Sequence, residues 1–183
     1  MASSRKRARA TPGTIRVYRL CKTVYSASLL EGEGGRAAPG RWHTRGRRIV
    51  YCASSEALAV LELRVHLGRF LPQDPYTMHM LEIPLAAVVQ LPRDGLPRRW
   101  NAVPPISATR ATGDRWLGPR RSVALRVPSI HSASDTNVLI NPTHPDCRHI
   151  RIVARTPYTF DQRLFHAPPA ALPTPQRRRG PRG

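Results

Sequence analysis

The chain has 183 residues, a length for one domain with a substantial core. It carries 30 Lys and Arg against 11 Asp and Glu, a net charge of +19. Eight of the cations lie near the ends (Arg5, Lys6, Arg7, Arg9 and Arg177, Arg178, Arg179, Arg182), which leaves 22 cations against 11 acids, or +11, between them. A surplus of that size draws anions: nucleic acid, a phosphorylated metabolite or an acidic partner. Nearly all the cations are arginine, as codon bias alone would produce, so charge names no partner. Cys21, Cys52 and Cys147 are few, odd in number and far apart. They exclude a disulfide framework and a zinc ribbon, and fit a reducing cytosol. The basic start leads into Thr11-Pro12-Gly13 rather than an apolar leader, and no run is long enough to span a bilayer. A soluble cytoplasmic protein is expected.

Residues 1–13 are small, basic and polar and are expected to form a disordered arm. Thr14 to Leu20 alternates apolar and polar residues, the pattern of a first strand. Glu31 to Gly40 (EGEGGRAAPG) reads as a glycine-rich loop that a ligand could approach closely, without the GxxxxGK[ST] or GxGxxG spacing of a nucleotide loop. Arg41 and Trp42 follow. An arginine fork beside such a loop suits a pyrophosphate; an exposed arginine and a core tryptophan are equally ordinary uses. Arg48 to Cys52 is a short strand. Tyr51 in it offers a ring face and a hydroxyl, or a core tyrosine.

Ser54 or Ser55 caps a helix expected to run to Phe70 and, being apolar almost all round, to be buried on most faces. Glu62 is the only acid in its interior and shares a face with Leu58 and His66. Such an acid needs an ion-pair partner, a wet edge or a ligand. Strands are expected at Met78 to Pro84 and Ala86 to Leu91, then a turn through Asp94-Gly95 and a helix at Ser107 to Leu117. Ser122 to Pro128 is a strand. A polar loop from Ser129 ends at Val138-Leu139-Ile140. His149 to Ala154 is a further strand, Thr159 to Phe165 closes the core, and residues 167–183 form a Pro- and Arg-rich tail expected to be disordered. Strands and helices in no βαβ alternation indicate an α+β single domain: a mixed, bent sheet with helices packed on it.

There is no HExxH and no nucleophile elbow. His144, Cys147 and His149 fit no familiar zinc spacing, so no metal is expected. No aromatic-interleaved basic motif is present, and direct DNA binding is not expected; a basic nucleic-acid-binding or interaction module remains the alternative from another class. What remains is Arg41, Tyr51, Glu62 and Ser129, supported by Arg19.

Their spacing is that of a known family. The pieces are YR (Tyr18, Arg19), GRW (Arg41, Trp42), VY (Val50, Tyr51), ALAVLE (Ala57 to Glu62), GDRWL (Gly113 to Leu117), VPS (Val127 to Ser129), NVLINPTHPD (Asn137 to Asp146) and FDQRLF (Phe160 to Phe165). Together they make residues 14–166 resemble the RES-domain toxins of bacterial toxin–antitoxin systems. His43 departs from the Asn usual there. The resemblance implies a fold similar to the ADP-ribosyltransferase toxins and cleavage of NAD+ at the nicotinamide–ribose bond, by hydrolysis or by phosphorolysis with phosphate as co-substrate. Protein ADP-ribosylation is the alternative it leaves open. It implies catalytic roles for Arg41, Tyr51, Glu62 and Ser129, and substrate contacts from Arg19, Trp42 and Asn137 besides. It implies no cofactor beyond NAD+ as substrate. The implied partner is a helix-turn-helix antitoxin of the Xre class that blocks the active site.

Overall fold

The structure is a computed structural model and describes residues 11–69, 71–119 and 121–165. Seven strands form one sheet: β1 (Thr14–Lys22), β2 (Val50–Ala53), β3 (Tyr76–Pro84), β4 (Val88–Gln90), β5 (Ala124–Pro128), β6 (Thr136–Ile140) and β7 (Arg151–Tyr158). Their order is β4-β5-β6-β2-β1-β3-β7. All neighbours are antiparallel except the parallel β4–β5 pair. Among the described residues the α-helices are α1 (Glu33–Ala37), α2 (Glu56–Arg64) and α3 (Ser107–Leu117). This is the α+β architecture, with its mixed sheet, that the strand pattern predicts.

Strand parity decides which side chains meet. On one face Val17, Cys21, Val50, Cys52, Leu81, Ile83, Val138 and Ile140 build a single core. The other face carries two clusters. Leu20, Ala53 and Met78 pack under Leu58 and Ala59 of α2. Leu125, Val127 and Leu139 pack against Trp42 and against Trp116 and Leu117 of α3. β6 is covered on both sides, so Val138-Leu139-Ile140 is a continuous apolar run rather than an alternating one. Edge strand β7 alternates between half-buried and exposed, and tolerates Pro157 because an edge residue need not donate to a ladder.

Several elements differ from expectation. The predicted arm to Ala10 and the tail from 167 lie outside the described residues. Thr11, read as the arm's end, is tied down: its N–H and hydroxyl donate to Glu82 at 3.3 and 2.6 Å. The glycine-rich stretch is not all loop, since α1 forms within it. α2 stops at Arg64, and Phe70, its predicted end, lies outside the described residues. Ser55 caps its start, accepting from the Leu58 N–H. At the other end the Arg64 guanidinium donates to Leu67 O and Leu164 O and lies 4.4 Å over the Phe165 ring, which closes the last turn. Nor is α2 buried on most faces. Leu58 and Ala59 are buried, whereas Leu61 and Val65 are 40 and 49 % exposed, because the helix lies on the sheet by one face only. β7 extends four residues further than predicted, to Tyr158, where Tyr158, Tyr76 and Phe165 meet the edges of Phe160.

Candidate active site

The site lies on the sheet face that carries α2. β6 aims Asn137 to the same side as Leu139, and β5 ends at Pro128, which puts Ser129 at the mouth of the sheet. α2 brings Glu62 between them. Glu62 Oε1 accepts from the Ser129 hydroxyl at 2.9 Å and from the Asn137 amide at 2.6 Å. Ser129 and Asn137 are buried, while the Glu62 side chain is 28 % exposed. One carboxylate oxygen is thus fixed by two donors. The other, Oε2, faces His131 Nε2 at 3.8 Å. An acid fixed through one oxygen and partly exposed can present its charge to a bound molecule.

Arg41 stands in the electrostatic field of the same carboxylate. Its Nη1 donates to Trp100 O at 2.7 Å and to Ala102 O at 2.9 Å. Partial burial lowers its pKa from the ordinary value, with Glu62 and Tyr51 opposing that shift. Two carbonyls on one nitrogen fix the direction of the planar fork.

Tyr51 lies beside them on β2, but its hydroxyl is already engaged. It accepts from the Trp42 N–H at 3.1 Å and pairs with His43 Nδ1 at 2.8 Å. Burial pushes the phenol well above its ordinary pKa. His43 Nε2 faces Gly35 O and Ala38 O, each at 3.0 Å. Carbonyls only accept, so in the neutral ring Nε2 carries the hydrogen and Nδ1 accepts from Tyr51. His43 is therefore a buried tie between α1 and Tyr51, not a ligand contact. Gly40 is required in this turn: a Cβ there would come within 2.7 Å of both the Tyr51 hydroxyl and the His43 ring.

Two residues expected to contact the substrate lie apart from the Glu62 cluster. Trp42 is 1 % exposed, stacked on Trp100 with centroids 6.2 Å apart, and its backbone lies directly under Gly113 of α3. It is a core residue that anchors its neighbour Arg41. Arg19 falls on the opposite face of the sheet. It pairs in register with His79, and with Cys21, Leu29 and Val50 it lines a separate cavity of about 330 Å³. Its Nη1 donates to the Tyr51 carbonyl at 2.6 Å. The guanidinium thus steadies the strand that carries Tyr51, while the ring of Tyr51 points the other way.

His131 went unnoticed in the sequence, as did the two carbonyls that hold Arg41. The VPSIH segment has no periodicity to flag it, and only its place two residues after Ser129 hints at a role. His144, Cys147 and His149 form a turn in which His144 Nδ1 accepts from the Asp146 N–H. Among the described residues no group of three or more His, Cys, Asp or Glu is placed to hold a metal ion. No described helix is long and apolar enough to cross a membrane.

The profile of one family, the RES domain, matches residues 16–161. The chain belongs to the RES-domain family. It is 36 % identical over 152 residues to Toxin Res of Photorhabdus laumondii, covering 82 % of this chain and 97 % of that one. Over 140 residues it is 42 % identical to Toxin Res of Pseudomonas putida, covering 74 and 92 %. A relative in Sphingobium, the Prs ADP-ribosylating toxin, is 38 % identical over 146 residues, covering 78 and 90 %. The fold is shared with a chain of the M. tuberculosis MbcT–MbcA toxin–antitoxin complex, at a TM-score of 0.67 and 18 % identity over 80 % of this RES domain and 85 % of that chain.

Proposed function

We propose that this RES domain is the toxin of a toxin–antitoxin pair and cleaves NAD+ at the bond between nicotinamide and ribose. The observation that carries the reading is Glu62, held by Ser129 and Asn137 through one oxygen, with the other facing His131 and the whole carboxylate within the electrostatic reach of Arg41. Breaking that N-glycosidic bond spreads positive charge over the ribose ring. A fixed carboxylate oxygen facing the ring stabilises this charge more in the transition state than in the bound substrate. Arg41, its direction set by Trp100 O and Ala102 O, binds the pyrophosphate. The Tyr51 ring supports the nicotinamide. Nicotinamide departs neutral, so no group need protonate it. Arg19 and Trp42 act through Tyr51 and Arg41 rather than on the substrate.

The acceptor is water or phosphate. Protein transfer is the second reading, favoured by the ADP-ribosylating relative at 38 % identity. The partner proposed is a helix-turn-helix antitoxin of the Xre class seated over the cleft. Purified protein is incubated with labelled NAD+, with and without phosphate and with lysate. Free ADP-ribose, ADP-ribose 1''-phosphate or labelled protein identifies the acceptor. Glu62→Gln and Arg41→Ala are expected to abolish NAD+ loss while remaining folded. NAD+ consumption by Glu62→Gln at the wild-type rate would sink the assignment.

A further inference from the structure

Glu62 Oε2 and His131 Nε2 are 3.8 Å apart, with the two side chains 28 and 22 % exposed. That gap is too long for a hydrogen bond, but one oxygen atom can sit within bonding distance of both. Glu62 Oε1 is already taken by Ser129 and Asn137. The His131 N–H donates to Ser129 Oγ at 3.0 Å, so the backbone that carries this imidazole is fastened to the residue that fastens Glu62. Two partly exposed polar atoms of the right chemistry thus lie at a spacing that one water oxygen can bridge.

Resting on the NAD+ reading above, we propose that His131 is a further catalytic residue: the base that takes the proton from the attacking water. As the C1''–N bond breaks, its electron pair leaves with neutral nicotinamide. The water oxygen forms the new C1''–O bond and its proton passes to His131 Nε2, which releases it to solvent before the next turnover. NAD+ and water become ADP-ribose, nicotinamide and one proton. Glu62 in this scheme stabilises the ribose charge and orients the water without accepting its proton. An anionic nucleophile has no proton to lose and needs no base.

The test uses His131→Asn in the full chain. The bond to Ser129 comes from the backbone, so the substitution leaves the Ser129–Glu62–Asn137 arrangement in place; a thermal melt checks this, and His131→Gln serves as a second variant. Hydrolytic kcat is expected to fall by about 10²–10⁴-fold, with KM for NAD+ little changed. Added azide should restore NAD+ turnover in the variant, with 1''-azido-ADP-ribose as product by mass spectrometry. Hydrolysis within a few-fold of wild type would overturn the proposal, leaving Glu62 as the base. A loss that azide does not relieve would also overturn it, making His131 a positioning residue. Wild-type protein that leaves NAD+ intact alone, with phosphate and with lysate refutes the enzymatic reading itself, and this proposal with it; wild-type turnover only with phosphate or lysate overturns this proposal alone.

Discussion

Gly113→Ala sets two effects of opposite sign against each other. Gly113 sits in the middle of α3, where Ala is favoured over Gly by about 1 kcal/mol in intrinsic helix propensity. On an exposed helix the substitution would stabilise. Here a Cβ would lie 1.7 Å from Trp42 O, 2.7 Å from Trp42 C and 3.1 Å from Trp42 Cβ. Relief requires a backbone shift of more than an ångström, and neither side can give cheaply. The Trp42 N–H is bonded to Tyr51, and its indole is stacked on Trp100. Overpacking against atoms that cannot move costs about 1–3 kcal/mol, occasionally more. We expect the clash to win, with a net loss of about 2 kcal/mol. For a domain of this size that lowers Tm by roughly 4–8 °C. The measurement is urea denaturation beside a thermal melt, with NAD+ turnover followed in parallel. Turnover should fall more than stability, because Arg41 is covalently next to the displaced Trp42. A Gly113→Ala protein as stable as wild type, or more stable, would refute the packing argument.

Glu82 carries a prediction about acid. It accepts from Thr11, Arg16 and Arg151, and the Thr11 hydroxyl first, then Arg16, hold its carboxyl down to about 2. A depressed folded pKa contributes stability that is complete above the unfolded value near 4.3 and is lost as pH falls from there toward 2. Glu82→Gln should cost about 1–3 kcal/mol at pH 7 and flatten the acid limb of the stability–pH curve; equal pH 3 losses in variant and wild type would contradict this. Tyr51→Phe keeps the ring but strands the Trp42 N–H and His43 Nδ1. We expect a loss of about 1–3 kcal/mol in denaturant, with the affinity for NAD+ little changed if the ring alone meets the nicotinamide. Asn137→Ala removes the shorter of the two bonds that aim Glu62, and kcat should drop about tenfold for each 1.4 kcal/mol of lost alignment; steady-state kinetics at unchanged Tm checks it.

The strands and the site were legible in the sequence to different depths. Alternation in TIRVYRL and the run Val138-Leu139-Ile140 located β1 and β6, because burial on one face or two leaves its mark in composition. The Glu62, Ser129 and Asn137 trio was legible only through family spacing. Those residues lie on α2, on a loop and on β6, and no local rule says that three such elements converge. The error about α2 has a plain cause: an apolar helix looks fully buried when the number of neighbours available to cover it is unknown. Here one sheet face was available, and Leu61 and Val65 were left outside.

Arg19 and Trp42 show what motif membership cannot convey. Tyr18 and Arg19 are adjacent in a strand and must point to opposite faces. The strand pairing then decides which face each one gets. With Tyr18 opposite Ala53, which packs under α2, Arg19 is sent to the side of Cys21 and Val50. Arg41 and Trp42 divide in the same way across a turn: the guanidinium is carried toward Glu62 because the indole beside it is sunk between Trp100 and α3. A residue can therefore shape the site without joining its polar cluster. The distinction is measurable: loss of Trp42 should lower stability and activity together, whereas loss of Arg41 should lower activity far more than the stability carried by its bonds to Trp100 O and Ala102 O.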